Sequence, residues 1–100
     1  MMETIDQYRN RLNQHSQWLY GKRVTFDFGI DGLILLDGIS ERVSGEEKVS
    51  NLTISLSWSD FVDIYSAKLS IFQAFAEGKI AMTGEIRLCK ELEGLSLALQ

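Results

Sequence analysis

Ile5, Tyr8, Leu12, His15 and Leu19 follow one another at intervals of three and four, which is the spacing of one helix face. Thr4 and Gln7 in front of them have the spacing of a capping box, and Gly21 suits the end of that helix. From Lys22 the period falls to two. Val24, Phe26, Phe28 and Ile30 alternate with Arg23, Thr25, Asp27 and Gly29, the pattern of a half-buried strand. Asp31-Gly32 predicts a two-residue hairpin turn, which would set Ile30 opposite Leu33 and Phe28 opposite Leu35. That register leaves Ile34 and Leu36 on the other sheet face, to be partly covered or used in association.

The stretch Asp37 to Lys48 is rich in charge and turn formers and reads as irregular, with room for one short edge strand. Strand character resumes over Val49 to Leu56, where Leu52, Ile54 and Leu56 alternate. Ser57 and Asp60 again have capping-box spacing, and a helical stripe runs from Trp58 through Phe61 and Tyr65 to Leu69. A shorter helix over Ile71 to Glu77 is closed by Gly78, and a brief strand over Lys79 to Thr83 is broken by Gly84. Ile86, Leu88, Cys89, Leu92 and Leu95 form the apolar side of a last helix. This order of helix, three or four strands, two helices, strand and helix predicts an α+β fold in two layers, with the helices banked on one face of the sheet.

One hundred residues with no proline, no repeat and no low-complexity tract predict a single domain spanning residues 1–100. A net charge of -4 without a lysine or arginine run speaks against a nucleic-acid surface. The single cysteine, Cys89, excludes an intrachain disulfide and a thiolate zinc cluster, which suits the cytoplasm. No apolar run is long enough for a membrane span, and "MMETIDQYRN" has no signal-peptide core, so the chain is expected to be soluble.

Candidates for chemistry are few. His15, the one histidine, lies on the apolar side of the first helix, where packing at the core edge is its ordinary role. Cys89 reads as a core cysteine, because no local pattern marks it as a nucleophile. Asp60 and Asp63 stand one helical turn apart without a third ligand, as at a solvated helix start. Gly78 and Gly84 flank a strand and do not form a phosphate loop. A hydrolase built on a serine, His15 or Cys89 therefore has little to recommend it.

The segment Thr53 to Leu95 resembles the sterol carrier protein 2 (SCP2-like) lipid-binding domains. The likeness runs through Ser59, Asp60, Lys68 and Leu69 into "AFAEGKIAMTGEIRL", where Ala74, Phe75, Gly78, Lys79, Ile80, Gly84, Leu88 and Leu92 match the family pattern. There is no glycine near Ala67 and no proline between Leu69 and Ala74, departures that point towards a small prokaryotic-type member and away from the sterol specificity of eukaryotic relatives.

The resemblance implies a five-stranded mixed sheet covered by helices and an apolar tunnel between the layers. That tunnel would hold a fatty acyl chain, acyl-CoA, sterol-like or other hydrophobic ligand, with no cofactor and no catalysis. Its expected lining is Trp58, Phe61, Tyr65, Phe72, Phe75, Ile80, Met82, Leu88 and Leu92, with Phe26 and Phe28 as the floor; each would also serve in a closed core. The expected partners are the lipid and, transiently, a membrane. The alternative is a non-catalytic interaction or dimerisation module for an enzyme of lipid metabolism, joined through the face around Ile34 and Leu36.

Overall fold

A computed structural model describes residues 4–13, 21–66 and 68–90 of the chain. The first helix, α1, runs over Ile5–Asn13. Its start is the expected capping box, in which Thr4 N–H donates to Gln7 Oε1 at 2.7 Å and Gln7 N–H to Thr4 Oγ1 at 3.3 Å. Tyr8 and Leu12 are its buried residues, while His15 and Leu19 lie outside the described residues.

Five strands follow: β1 (Arg23–Asp27), β2 (Leu33–Asp37), β3 (Arg42–Ser44), β4 (Leu52–Ser55) and β5 (Ala81–Gly84). They form one sheet in the order β3-β2-β1-β4-β5. The central pair β1 and β4 is parallel and the other pairs are antiparallel, so the sheet is mixed.

The β1–β2 connection departs from the two-residue hairpin. β1 stops at Asp27, and Gly29–Asp31 form a 3-10 turn. The Asp27 carboxylate accepts Gly29 N–H at 2.8 Å, Phe28 N–H donates to the Gly32 carbonyl at 2.9 Å, and Gly29 and Gly32 take positive φ of 64° and 105°. The pairing becomes Asp27 with Leu33 and Phe26 with Ile34. This is an odd shift from the expected register, and it turns every β2 side chain over. Ile34 and Leu36 consequently join Val24, Phe26, Leu52 and Ile54 in the core and offer no face for association. Ile30, at the tip of the turn, is fully exposed.

The α-helices among the described residues are α1, α2 (Trp58–Tyr65) and α3 (Ile71–Ala76). Ser57 caps α2, accepting Asp60 N–H at 3.0 Å. The helix ends four residues short of Leu69, where Lys68 and Leu69 N–H both turn back to the Asp63 carbonyl. Ser70 caps α3 by accepting Phe72 N–H, and Gly78, at φ 74°, closes it while Lys79 N–H returns to the Ala74 carbonyl.

The opposite sheet face carries the chain from edge strand β3 to β4. Residues 45–51 cross it as a strap: Lys48 approaches Asp37 on β2, Ser50 shares a hydrogen bond with Thr25 on β1, and Asn51 N–H donates to the Arg23 carbonyl at 2.8 Å. Thr25 and Asp37 are buried, as is their neighbour Leu35. Burial pushes the Asp37 carboxyl pKa up, but hydrogen bonds from Ser40 and Ile39 N–H, with Arg23 beside it, outweigh that and bring it to about 2. At the start of β2, which β3 does not pair with, Arg9 Nη2 donates to the Leu33 carbonyl at 2.7 Å.

Candidate functional site: the apolar layer between sheet and helices

The space between sheet and helices divides into two parts. On the α1 and α2 side, Phe61 is fully buried at the hub of an aromatic cluster. Its ring centroid lies 5.0 Å from those of Phe26 and Phe28, 4.4 Å from Tyr65, 5.3 Å from Trp58 and 5.6 Å from Tyr8. Most of these pairs meet edge to face, the arrangement that aligns ring edges with the electron-rich faces of their neighbours. Helical spacing puts Trp58, Phe61 and Tyr65 on one side of α2, and strand alternation puts Phe26 on the facing side of β1. Five of the residues named from sequence are thus brought together. Tyr8 completes the cluster from α1; its place on the helix stripe was legible, its aromatic neighbours were not.

The second part lies along α3, β5 and the 3-10 turn Ile86–Leu88. Ile71, Ala74, Ile80, Leu88 and Cys89 are buried there, and Met82 is half-buried against them. Met82 lies opposite Ile54 in the sheet and therefore points to the helix layer, where its Sδ is 3.2 Å from Cys89 Sγ. Phe72 and Phe75, also named from sequence, stand 41% and 44% exposed on the outer side of α3, and Ile86 is 46% exposed. Leu92 lies outside the described residues.

Two contacts hold this part in place. Gly84 ends β5 at φ 110° with its α-carbon against the Asn51 carbonyl, which also accepts Glu85 N–H at 2.8 Å. Glu85 then meets Lys22 Nζ at 3.2 Å, and the Lys22 ammonium holds its carboxyl below the usual carboxylate range. The segment after β5 is thereby pinned to the start of β1, and the chain turns back to lay Leu88 and Cys89 on the core.

The chemistry of this layer is apolar. Burial pushes the Tyr65 phenol pKa up, so the group stays neutral. Cys89 is wholly buried beside a thioether, and its sulfur contributes as a small apolar group. Among the described residues no three His, Cys, Asp or Glu side chains come together as a metal site, and no helix is long and apolar enough to cross a membrane.

The fold has clear relatives among solved structures. The solution structure of sterol carrier protein 2 from Aedes aegypti in complex with palmitate superposes with a TM-score of 0.79 at 14% identity, covering 100% of both chains. A ubiquinone synthesis protein, UbiJ-SCP2, superposes with a TM-score of 0.73 at 15% identity over 95% of this chain and 94% of its own. The sec-alkyl sulfatase PisA1 matches 97% of this chain with only 16% of its own length, at a TM-score of 0.71 and 19% identity. No curated protein matches the chain in sequence. The model of the SCP-2 sterol transfer family matches residues 6–96, so that both the aromatic cluster and the α3–β5 region fall inside it. The chain belongs to the SCP-2 sterol transfer family.

Proposed function

We propose that the chain is a small cytoplasmic lipid-binding or lipid-transfer protein, acting as a single domain. It holds a fatty acyl chain, an acyl-CoA, or a sterol-like or other hydrophobic ligand in an apolar tunnel between sheet and helices, and does not transform it. The observation that carries this reading is the asymmetry of the apolar layer. Six aromatic rings close it on the α2 side, whereas on the α3–β5 side Met82 is half-buried and Phe72, Phe75 and Ile86 remain open to solvent. A ligand chain enters there, against Ile80, Met82 and Leu88, with Phe75 at the rim and the aromatic cluster as the inner wall.

Magnitudes favour this use. Burying ten methylenes would stabilise the complex by roughly 8 kcal/mol gross, at about 0.8 kcal/mol each. Translational and ordering costs remove part of that, leaving micromolar affinity within reach. The thioether of Met82 adapts to irregular ligand shapes better than a branched side chain. The palmitate complex of the mosquito protein supports a fatty acyl ligand, since its fold extends over the whole of this chain.

A second reading has one observation in its favour: a similar fold forms a small part of the sulfatase, which suggests an accessory module beside an enzyme. It has lost the surface first assigned to it, because Ile34 and Leu36 are core residues. Displacement of a fluorescent fatty-acid analogue, run alongside light scattering, separates the two. Displacement by palmitate from a monomer is the expected result. No probe binding together with a stable dimer would establish the module instead.

A further inference from the structure

We propose that Met82 is a modification site, oxidised by hydrogen peroxide to the sulfoxide, and that this oxidation releases the acyl ligand; the inference rests on the ligand site proposed above. Met82 is the only methionine beyond the first two residues. It sits on β5, an edge of the sheet, between the exposed Ala81 and Thr83, and is itself only half-buried. Its position opposite Ile54 nevertheless turns its side chain to the helix layer. A peroxide molecule in solvent and a ligand chain in the layer therefore meet the same side chain.

Two sulfur atoms meet here, and the structure selects one of them. Cys89 is wholly buried and donates its S–H to Met82 Sδ at 3.2 Å. A thiol reacts with peroxide as the thiolate, whereas a thioether reacts in its ordinary neutral state, and both need access to the oxidant. Met82 has that access and Cys89 keeps its proton, so Met82 reacts first. The peroxide O–O bond breaks, one oxygen bonds to Sδ with the sulfur supplying the electron pair, and the other oxygen leaves as water.

The product carries a strong dipole and an accepting oxygen beside Ile71, Ala74, Ile80 and Leu88, all buried and hydrocarbon. An unpaired polar group is costly in such surroundings, so the sulfoxide either turns out to water at the sheet edge or holds water beside it in the layer. Both outcomes remove apolar surface that the acyl chain would cover.

The test treats the purified chain with hydrogen peroxide, stops the reaction with catalase, and reads palmitate affinity by displacement of a fluorescent fatty-acid analogue. Peptide mass spectrometry is expected to find an added oxygen on Met82 before any on Cys89. Palmitate affinity should then fall about tenfold or more, with the far-ultraviolet circular dichroism unchanged. Met82→Leu, compared before and after treatment, should show no such fall, while Cys89→Ala should lose affinity by a factor similar to that of the native chain. Oxidation of Cys89 first, undiminished affinity once Met82 is oxidised, loss of the folded signal on oxidation, or an equal fall in Met82→Leu would overturn the proposal and leave the ligand site standing. An untreated chain that binds no palmitate would overturn the ligand site and, with it, the release inferred from it.

Discussion

Gly84 lies against the carbonyl of Asn51 so closely that a β-carbon at position 84 would overlap the oxygen, and the same carbonyl accepts Glu85 N–H. Backbone occupies the space, and φ is 110°, so no side chain can move aside to make room. The glycine that precedes the 3-10 turn Ile86–Leu88 thereby has a physical cause: β5 ends opposite Leu52, at the start of β4, with the two backbones in close approach before the chain turns to the core. Gly84→Ala is expected to destabilise the fold by about 3 kcal/mol or more, combining left-handed strain with the overlap. Urea denaturation measures this, and an unchanged midpoint would refute the role given to the contact. Gly78, also at positive φ but with open space around it, should cost only about 1 kcal/mol as alanine.

Phe61 touches five aromatic neighbours and is fully buried. Phe61→Ala should cost about 3–5 kcal/mol, the range for removing a buried ring, and Phe61→Leu clearly less. Chemical denaturation combined with near-ultraviolet circular dichroism distinguishes a cavity from a general loss of structure. A small effect would mean that the cluster is loosely packed.

Asp37 ties the strap to the sheet. Its carboxyl is held at about 2 in the folded chain, below its ordinary value of 3.8, so its stabilising contribution is complete above about pH 4 and is lost as pH falls towards 2. Asp37→Asn retains an oxygen for Ile39 and Ser40 N–H but removes the charge facing Arg23 and Lys48. The variant should be less stable at neutral pH by roughly 1–3 kcal/mol and should lose part of the stability change between pH 4 and pH 2. Acid-dependent melting curves that remain parallel in the two proteins would exclude this assignment.

Much of the fold was legible because it rests on local signals. The two-residue period located β1 and β4, and side-chain caps marked the starts of α1 and α2. The β1–β2 register was not legible: the Asp27 carboxylate captures Gly29 N–H and opens a longer turn than Asp31-Gly32 suggests. That turn, held also by Phe28 N–H on the Gly32 carbonyl and by positive φ at Gly29 and Gly32, sets which face Ile34 and Leu36 occupy. The strap was equally hidden, since its meaning depends on Asp37 and Thr25, which are distant in sequence. Within the candidate site, the six-residue α3 turns its smaller residues, Ile71 and Ala74, inward and leaves both phenylalanines outside. Residue size pointed one way and helix phase the other.

The central claim is that apolar ligand occupies the layer beside Met82 and Ile80. Native mass spectrometry of the purified protein, followed by solvent extraction, tests it most directly, with Met82→Trp as the comparison. The expected result is an acyl lipid carried by the native chain, or taken up from added palmitate, with occupancy reduced at least about tenfold when an indole fills the space. A native chain that carries no lipid and takes up no palmitate, or a Met82→Trp variant that loads as fully as the native chain, would contradict the account.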